Sequence, residues 1–220
     1  MPVVTDLKGP AGRLEALLDE PAGTVRAAVV FAHPHPQYGG TMHTKAVYQG
    51  AKGLTRIGCA VLRFNFRGVG ASEGTFDRGE GEKTDFAAAL DYMAAKYPRT
   101  PLWAAGFSFG SWVSLEVGAA DDRVTVLIAI SPPVVTSVSG QNYQFPGTLA
   151  SEKPKFFVQG ESDEVCPLEG MWHFYGQLKE PKELVVIDGA DHLFDGKTPE
   201  VGEALEDLLG DFEESREHTR

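Results

Sequence analysis

Cysteine is scarce: the 220 residues hold two, Cys59 and Cys166, which gives neither a disulfide framework nor a paired metal-ligand spacing. That scarcity fits a reducing, cytoplasmic setting. Basic clusters are also missing. With 20 Lys and Arg against 31 Asp and Glu, the net charge is −11, which excludes the clustered cationic surface that nucleic-acid phosphates require. No apolar run reaches the roughly eighteen residues of a membrane span. The N-terminal stretch Met1-Pro2-Val3-Val4-Thr5-Asp6 lacks a basic region followed by an apolar core, so no signal peptide is expected. Repeats, low-complexity tracts and interdomain linkers are absent as well. A single domain over 1–220 is expected, and the length suffices for one substantial core.

Strand-like and helix-like segments alternate along the chain, as expected for a mostly parallel sheet covered on both faces in a three-layer α/β/α sandwich. Strands are expected at Gly12–Asp19, Val25–Ala32, Cys59–Phe66, Leu102–Ala105, Val124–Ile130, Lys155–Gln159 and Leu184–Ile187. Helices are expected at Thr44–Arg56, Lys83–Ala95, Ser111–Ala119, about Leu168–Leu178 and roughly Pro199–Glu214. The continuous apolar run Val25–Ala32 suits a strand buried on both faces. The acidic stretch Glu200–Glu217 reads as a solvated helix face. Ser131–Lys153, rich in Ser, Pro, Gly and Gln, shows no element and reads as a short flap at a strand end, too small for a lid domain.

Gly106-Phe107-Ser108-Phe109-Gly110 stands between an expected strand and an expected helix. A G-x-S-x-G pentapeptide in that setting is a nucleophile-elbow signature. Flanking β-carbons would crowd so sharp a turn, and glycine tolerates its strained backbone. A serine hydroxyl attacks only if a base takes its proton and a third group orients that base. His192, in Gly189-Ala190-Asp191-His192, supplies the base. Asp163, in Gly160-Glu161-Ser162-Asp163, is the preferred acid over Glu161, Glu164, Asp188, Asp191 and Asp195, because it lies just past a strand and shortly before Pro167 opens the next helix. Both follow Ser108 in the chain order this chemistry takes on α/β sheets.

The charge that develops on the substrate oxygen needs two backbone donors. One is the amide of Phe109. The other belongs to the loop His33–Gly40, where Pro34 and Pro36 have no N–H; that leaves His35, with Gln37 next. Gln37 and Tyr38 of this loop, and Phe107 beside the serine, are the candidate substrate contacts; Phe107 and Phe109 would wall an apolar pocket. His33 reads as structural, and a metal reading of His33 with His35 lacks a third ligand. The Gly-rich run Arg67–Gly74 matches neither phosphate-binding spacing and carries no lysine, so it reads as a corner buttressing the elbow. Cys166 has no elbow of its own, and Cys59, Trp103 and Trp112 read as packing.

With these residues in hand, the chain resembles the α/β-hydrolases, in particular small, capless bacterial enzymes with a dienelactone-hydrolase-like core. The matching stretches are His33-Pro34-His35-Pro36 with Gly39-Gly40-Thr41-Met42, Phe64–Gly74, the elbow, Gly160–Pro167 and Gly189–Phe194; together they cover about residues 10 to 210. The resemblance implies a serine nucleophile with an Asp and a His, and neither metal nor organic cofactor. Dienelactone hydrolases proper use a cysteine nucleophile, whereas position 108 is serine, which shifts the expectation from dienelactones to small or short-chain esters. The serine also departs from the aspartate nucleophile of dehalogenases and epoxide hydrolases. Thioester or amide substrates, and a non-catalytic binding role, stay open as alternatives. So does a homodimer through an edge strand or the flap.

Overall fold

A computed structural model describes residues 2–134 and 142–213. In chain order the strands are β1 (Val3–Val4), β2 (Lys8–Gly9), β3 (Gly12–Arg13), β4 (Ala16–Asp19), β5 (Ala27–Ala32), β6 (Cys59–Phe64), β7 (Leu102–Phe107), β8 (Val124–Ile130), β9 (Lys155–Gly160) and β10 (Lys182–Ile187). The helices are α1 (Lys45–Arg56), α2 (Glu80–Lys96), α3 (Phe109–Ala120), α4 (Pro146–Ala150), α5 (Leu168–Gln177) and α6 (Thr198–Leu209).

Eight strands form one sheet in the order β1-β4-β6-β5-β7-β8-β9-β10. From β6 to β10 every pairing is parallel, while β4 runs antiparallel to β6 and β1 antiparallel to β4. The expected early strand Gly12–Asp19 is broken in two: Gly12–Arg13 pairs with Lys8–Gly9 as a small separate ribbon, and only Ala16–Asp19 joins the main sheet.

Every residue of β5, β6 and β7 is buried, as central strands with both faces covered must be. Side chains of a strand alternate between faces, and the core divides accordingly. Ala28, Val30, Ala32 and Ala104 pack with Phe86, Leu90, Val113, Leu115 and Phe174, on the side of α2, α3 and α5. Val29, Phe31, Trp103, Ala105 and Phe107 pack with Val47, Leu54, Val201 and Leu205, on the side of α1 and α6. The result is the α/β/α sandwich of the α/β-hydrolase fold, with no large additional domain among the described residues.

Two boundaries differ from the sequence reading for local reasons. Helix α2 starts at Glu80 rather than Lys83 because Glu82 reaches back to the backbone amides of Gly79 (2.7 Å) and Asp77 (3.0 Å), so residues that read as loop are capped into a first turn. The flap 131–153 contains a helix, α4, that sequence periodicity could not show in five residues with proline at the start. It forms because the Glu116 carboxylate accepts the amides of Gly147 (3.1 Å) and Thr148 (2.9 Å) and the Thr148 hydroxyl (2.7 Å). Trp112 Nε1 also donates to Gln144 O at 2.9 Å, fixing the segment just before α4 on α3. Residues 135–141 of the flap lie outside the described residues.

Candidate active site

Ser108 terminates β7 and caps α3 with φ 53° and ψ −122°, a conformation that side chains rarely adopt. The strain therefore sits on the serine and not on its glycines. Gly106 and Gly110 are needed for closeness: a β-carbon on Gly106 would lie 2.2 Å from Gly110 O, and one on Gly110 would lie 2.4 Å from His33 O. The tight turn leaves the serine hydroxyl without a capping bond to its own helix. Instead Ser108 Oγ donates to His192 Nε2 across 3.0 Å.

Two loops at the carboxyl end of the sheet carry the partners. They are laced together: Glu161 N donates to Ile187 O (3.0 Å), Ser162 N to Ala190 O (2.9 Å), and Gly189 N to the Glu161 carboxylate (2.8 Å). His192 Nδ1–H donates to Asp163 Oδ2 at 2.9 Å, which fixes the tautomer with Nε2 as acceptor toward the serine. Asp163 Oδ1 accepts the amides of Val165 (2.9 Å) and Cys166 (2.7 Å). Two of the rival carboxylates are otherwise engaged: Glu161 holds Gly189, and Asp191 accepts the Asp195 amide at 2.9 Å. Ser108, His192 and Asp163 thus form one hydrogen-bonded chain, with the serine 8% exposed and the Asp163 side chain fully buried.

The β5 loop runs beside the elbow, with the His35 ring 5.0 Å from the Phe109 ring. Phe109 is the first residue of α3, so its N–H has no partner within the helix. The Gln37 amide donates to His35 Nδ1 at 3.2 Å, which commits one of the two donors the loop offered. Both ring nitrogens of His33 are also committed: Nδ1–H donates to Pro34 O (2.6 Å), and Nε2 accepts the Phe66 amide (3.1 Å). Full burial pushes the His33 imidazole down to about 4. His33 holds its loop to the end of β6 and has no lone pair left for a metal.

Phe107 needs correction as a substrate contact. It is fully buried on the α1/α6 side, with its ring 5.2 Å from His192 and 6.1 Å from Phe194. Strand alternation sends it beneath the histidine, not into a pocket. Phe109 is likewise buried, against Phe66, Trp112 and Tyr143, so neither phenylalanine forms an open wall. Gln37 is exposed, and Tyr38 is 72% exposed with its ring 4.6 Å from that of His35.

The Arg67–Gly74 loop holds no phosphate cradle. Arg67 donates to the Asp85 carboxylate at 2.7–2.9 Å, Ser72 Oγ donates to Asn65 O (2.6 Å), and the Ala71 amide bonds Glu15 at 2.8 Å. The corner braces the N-terminal strands and α2 more than the elbow. Cys166 brings its sulfur close to the Asp163 and His192 ligand atoms, all within 4.8 Å of one another. The cluster does not suit a metal: both carboxylate oxygens already accept hydrogen bonds, and burial with the nearby Asp163 charge pushes the thiol well up, keeping it protonated. A cavity of about 540 Å³ at the antiparallel edge, lined by Pro2, Leu18, Tyr48 and Lys52 among others, contains none of the site residues.

One residue of the site escaped the sequence reading. Gln159, the single polar side chain of the run Phe156-Phe157-Val158-Gln159, donates from Nε2 to Asp163 Oδ2 at 3.1 Å. Its only signal was that polarity at the end of an apolar strand.

The sheet order, the serine elbow and the two later loops together define the α/β-hydrolase architecture. The chain belongs to the α/β-hydrolase domain family, whose model matches residues 25–215. It is similar to an α/β serine hydrolase homologue from Coxiella burnetii, at 37% identity and a TM-score of 0.84, covering 95% of this chain and 100% of that one. It is similar too to an α/β serine hydrolase without a lid from Xanthomonas campestris, at 34% identity and a TM-score of 0.84, covering 94% and 92% of the two chains. A protein of Rickettsia prowazekii is 35% identical over 96% of this chain and 90% of its own length. No helix among the described residues is long and apolar enough to cross a membrane.

Proposed function

We propose that the protein is a serine carboxylesterase acting on small or short-chain esters, with Ser108 as nucleophile, His192 as base and Asp163 as the orienting acid. The observation that carries this reading is the unbroken chain from Ser108 Oγ to His192 Nε2 (3.0 Å) and from His192 Nδ1 to Asp163 (2.9 Å), starting at a strained elbow. In the reaction Ser108 Oγ attacks the ester carbonyl while its proton passes to His192 Nε2. Asp163 stabilises the imidazolium that forms. The oxyanion is met by the Phe109 N–H, left over at the start of α3, and by the His35 N–H of the facing loop. His192 then gives its proton to the departing alcohol, leaving an acyl-Ser108. Water, activated by the same histidine, releases the acid and restores the serine.

The apolar surroundings favour an uncharged, partly hydrophobic substrate. Large hydrophobic side chains exposed among the described residues are Val3, Tyr38, Val165, Trp172 and Leu193. Three of these five stand on the segments that carry His35, Asp163 and His192: Tyr38 on the β5 loop, Val165 two residues past Asp163 and Leu193 next to His192, with Trp172 on the helix that follows the Asp163 loop. Specificity constants for a matched ester, thioester and amide test the bond assignment. A clear ester preference is expected, and a preference for the thioester or amide rejects it.

A further inference from the structure

Ser108 N donates to Ile130 O (2.9 Å), and Ser131 N donates to Val158 O (2.9 Å), so the carboxyl ends of β7, β8 and β9 are joined rung by rung. Gln159 stands at this edge, fully buried. Its Nε2 donates to two close acceptors, Asp163 Oδ2 (3.1 Å) and Cys166 O (2.7 Å), with Gly160 O farther off at 3.5 Å. Those acceptors fix the amide's orientation, since a flipped group would set its oxygen against two oxygens. The cost of that orientation is visible at the other end: Gln159 Oε1 is buried without a hydrogen-bond partner. An apolar residue closing an apolar strand would avoid this cost. What the amide gains is contact with the oxygen that also takes the His192 proton, at 2.9 Å. The other donors to Asp163, the amides of Val165 and Cys166, come from the carboxylate's own loop and reach Oδ1.

We infer that Gln159 is a positioning residue for Asp163: its amide holds Oδ2 in place for His192 and tempers that oxygen's basicity, and so sets the pH at which His192 becomes a base. The inference rests on the triad reading above. A carboxylate stripped of one donor holds negative charge more strongly toward its remaining partner, so it favours the imidazolium and raises the pH needed to free the base. The other ionisable groups near the pair stay unchanged when Gln159 is altered. They are Glu161, Glu164 and Cys166 on the β9 loop, Asp188, Asp191 and Asp195 on the β10 loop, Lys45 facing Asp195 at 4.0 Å, Tyr143, and His33 and His35 of the β5 loop.

The test is Gln159→Met, close in volume and without a donor, assayed on p-nitrophenyl acetate across pH. The expected result is kcat lower by about tenfold, KM within about twofold, and the acid limb of kcat/KM moved up by about half a pH unit. A folded variant whose acid limb and kcat match the wild type overturns the inference. A second measurement uses the wild-type protein alone, following the Gln159 side-chain amide and the His192 ring by NMR titration. The amide resonance should move with the same midpoint as the ring, and an amide that stays flat through that midpoint overturns the assignment even if the variant does not fold. Absence of turnover by the wild type on any acyl substrate would count against the esterase reading, with Gln159 still judged by the titration.

Discussion

Lowering the pH should weaken this fold through one residue, His33. Its imidazole is fully buried and held neutral, with Nδ1–H on Pro34 O and Nε2 accepting the Phe66 amide. Burial brings it to about 4 from an ordinary value of 6.5. Between those values the unfolded chain binds a proton that the folded chain refuses, so stability falls as pH drops from 6.5 toward 4 and is unaffected by this group above 6.5. Each pH unit is worth about 1.36 kcal/mol, which gives about 3 kcal/mol across the window and about 2.5 kcal/mol by pH 4.5. Carboxylates titrate in part of the same range, so the decisive quantity is a difference between two proteins. His33→Gln keeps a donor and an acceptor but has no titratable proton. Urea unfolding of both proteins at pH 7 and pH 4.5 should show the wild type losing about 2.5 kcal/mol more than the variant. Equal losses in the two would refute the neutral, tethered histidine. The same titration matters for the site, because protonation of Nε2 would release Phe66 and loosen the loop that carries His35.

Gly110→Ala should destabilise the fold by about 3 kcal/mol in thermal or urea melts, because the new β-carbon meets the backbone oxygens of His33 at 2.4 Å and Ala32 at 2.6 Å, which cannot step aside as a side chain could. A change within about 0.5 kcal/mol would contradict that contact. Asp163→Asn should lower kcat by about 10³–10⁴-fold with KM little changed, since an amide facing Nδ1 favours the wrong imidazole tautomer. Steady-state kinetics reads this directly. Cys166→Ala should keep kcat within about threefold, because the thiol is buried and held protonated and has no role in the proton path. In the native protein neither Cys59 nor Cys166 should react with a thiol reagent until urea unfolds the chain, and rapid native labelling would show that one of them is reached.

The candidate site residues were legible because each sits in a short, ordered motif at a strand end, and motif order survives without knowledge of packing. Ser108, Asp163 and His192 could be named from spacing alone, and the structure brings them within hydrogen-bond distance of one another. The parallel strands were legible for a similar reason: Val124–Ile130 is apolar apart from Thr125 and bounded by turn residues. What escaped depends on contacts between distant segments. Helix α4 exists through Glu116, far away in sequence, and no local pattern announces that cap. The antiparallel edge formed by β1 and β4 is too short to show a period. Adjacency to the serine suggests a pocket wall at Phe107, whereas the strand's alternation turns it toward Phe194 and the underside of His192. The G-x-S-x-G pattern points to strain at the glycines, yet it is Ser108 that carries the positive φ while the glycines permit close approach. Gln159 could not be ranked from sequence, since its meaning lies in which oxygen its amide meets.

The most direct test of the central claim is hydrolysis of a p-nitrophenyl ester series, acetyl through decanoyl, by wild type and Ser108→Ala side by side. The account predicts turnover by the wild type, strongest on the shorter acyl chains, and its loss in a variant that folds normally. Undiminished hydrolysis by Ser108→Ala would contradict the serine mechanism outright.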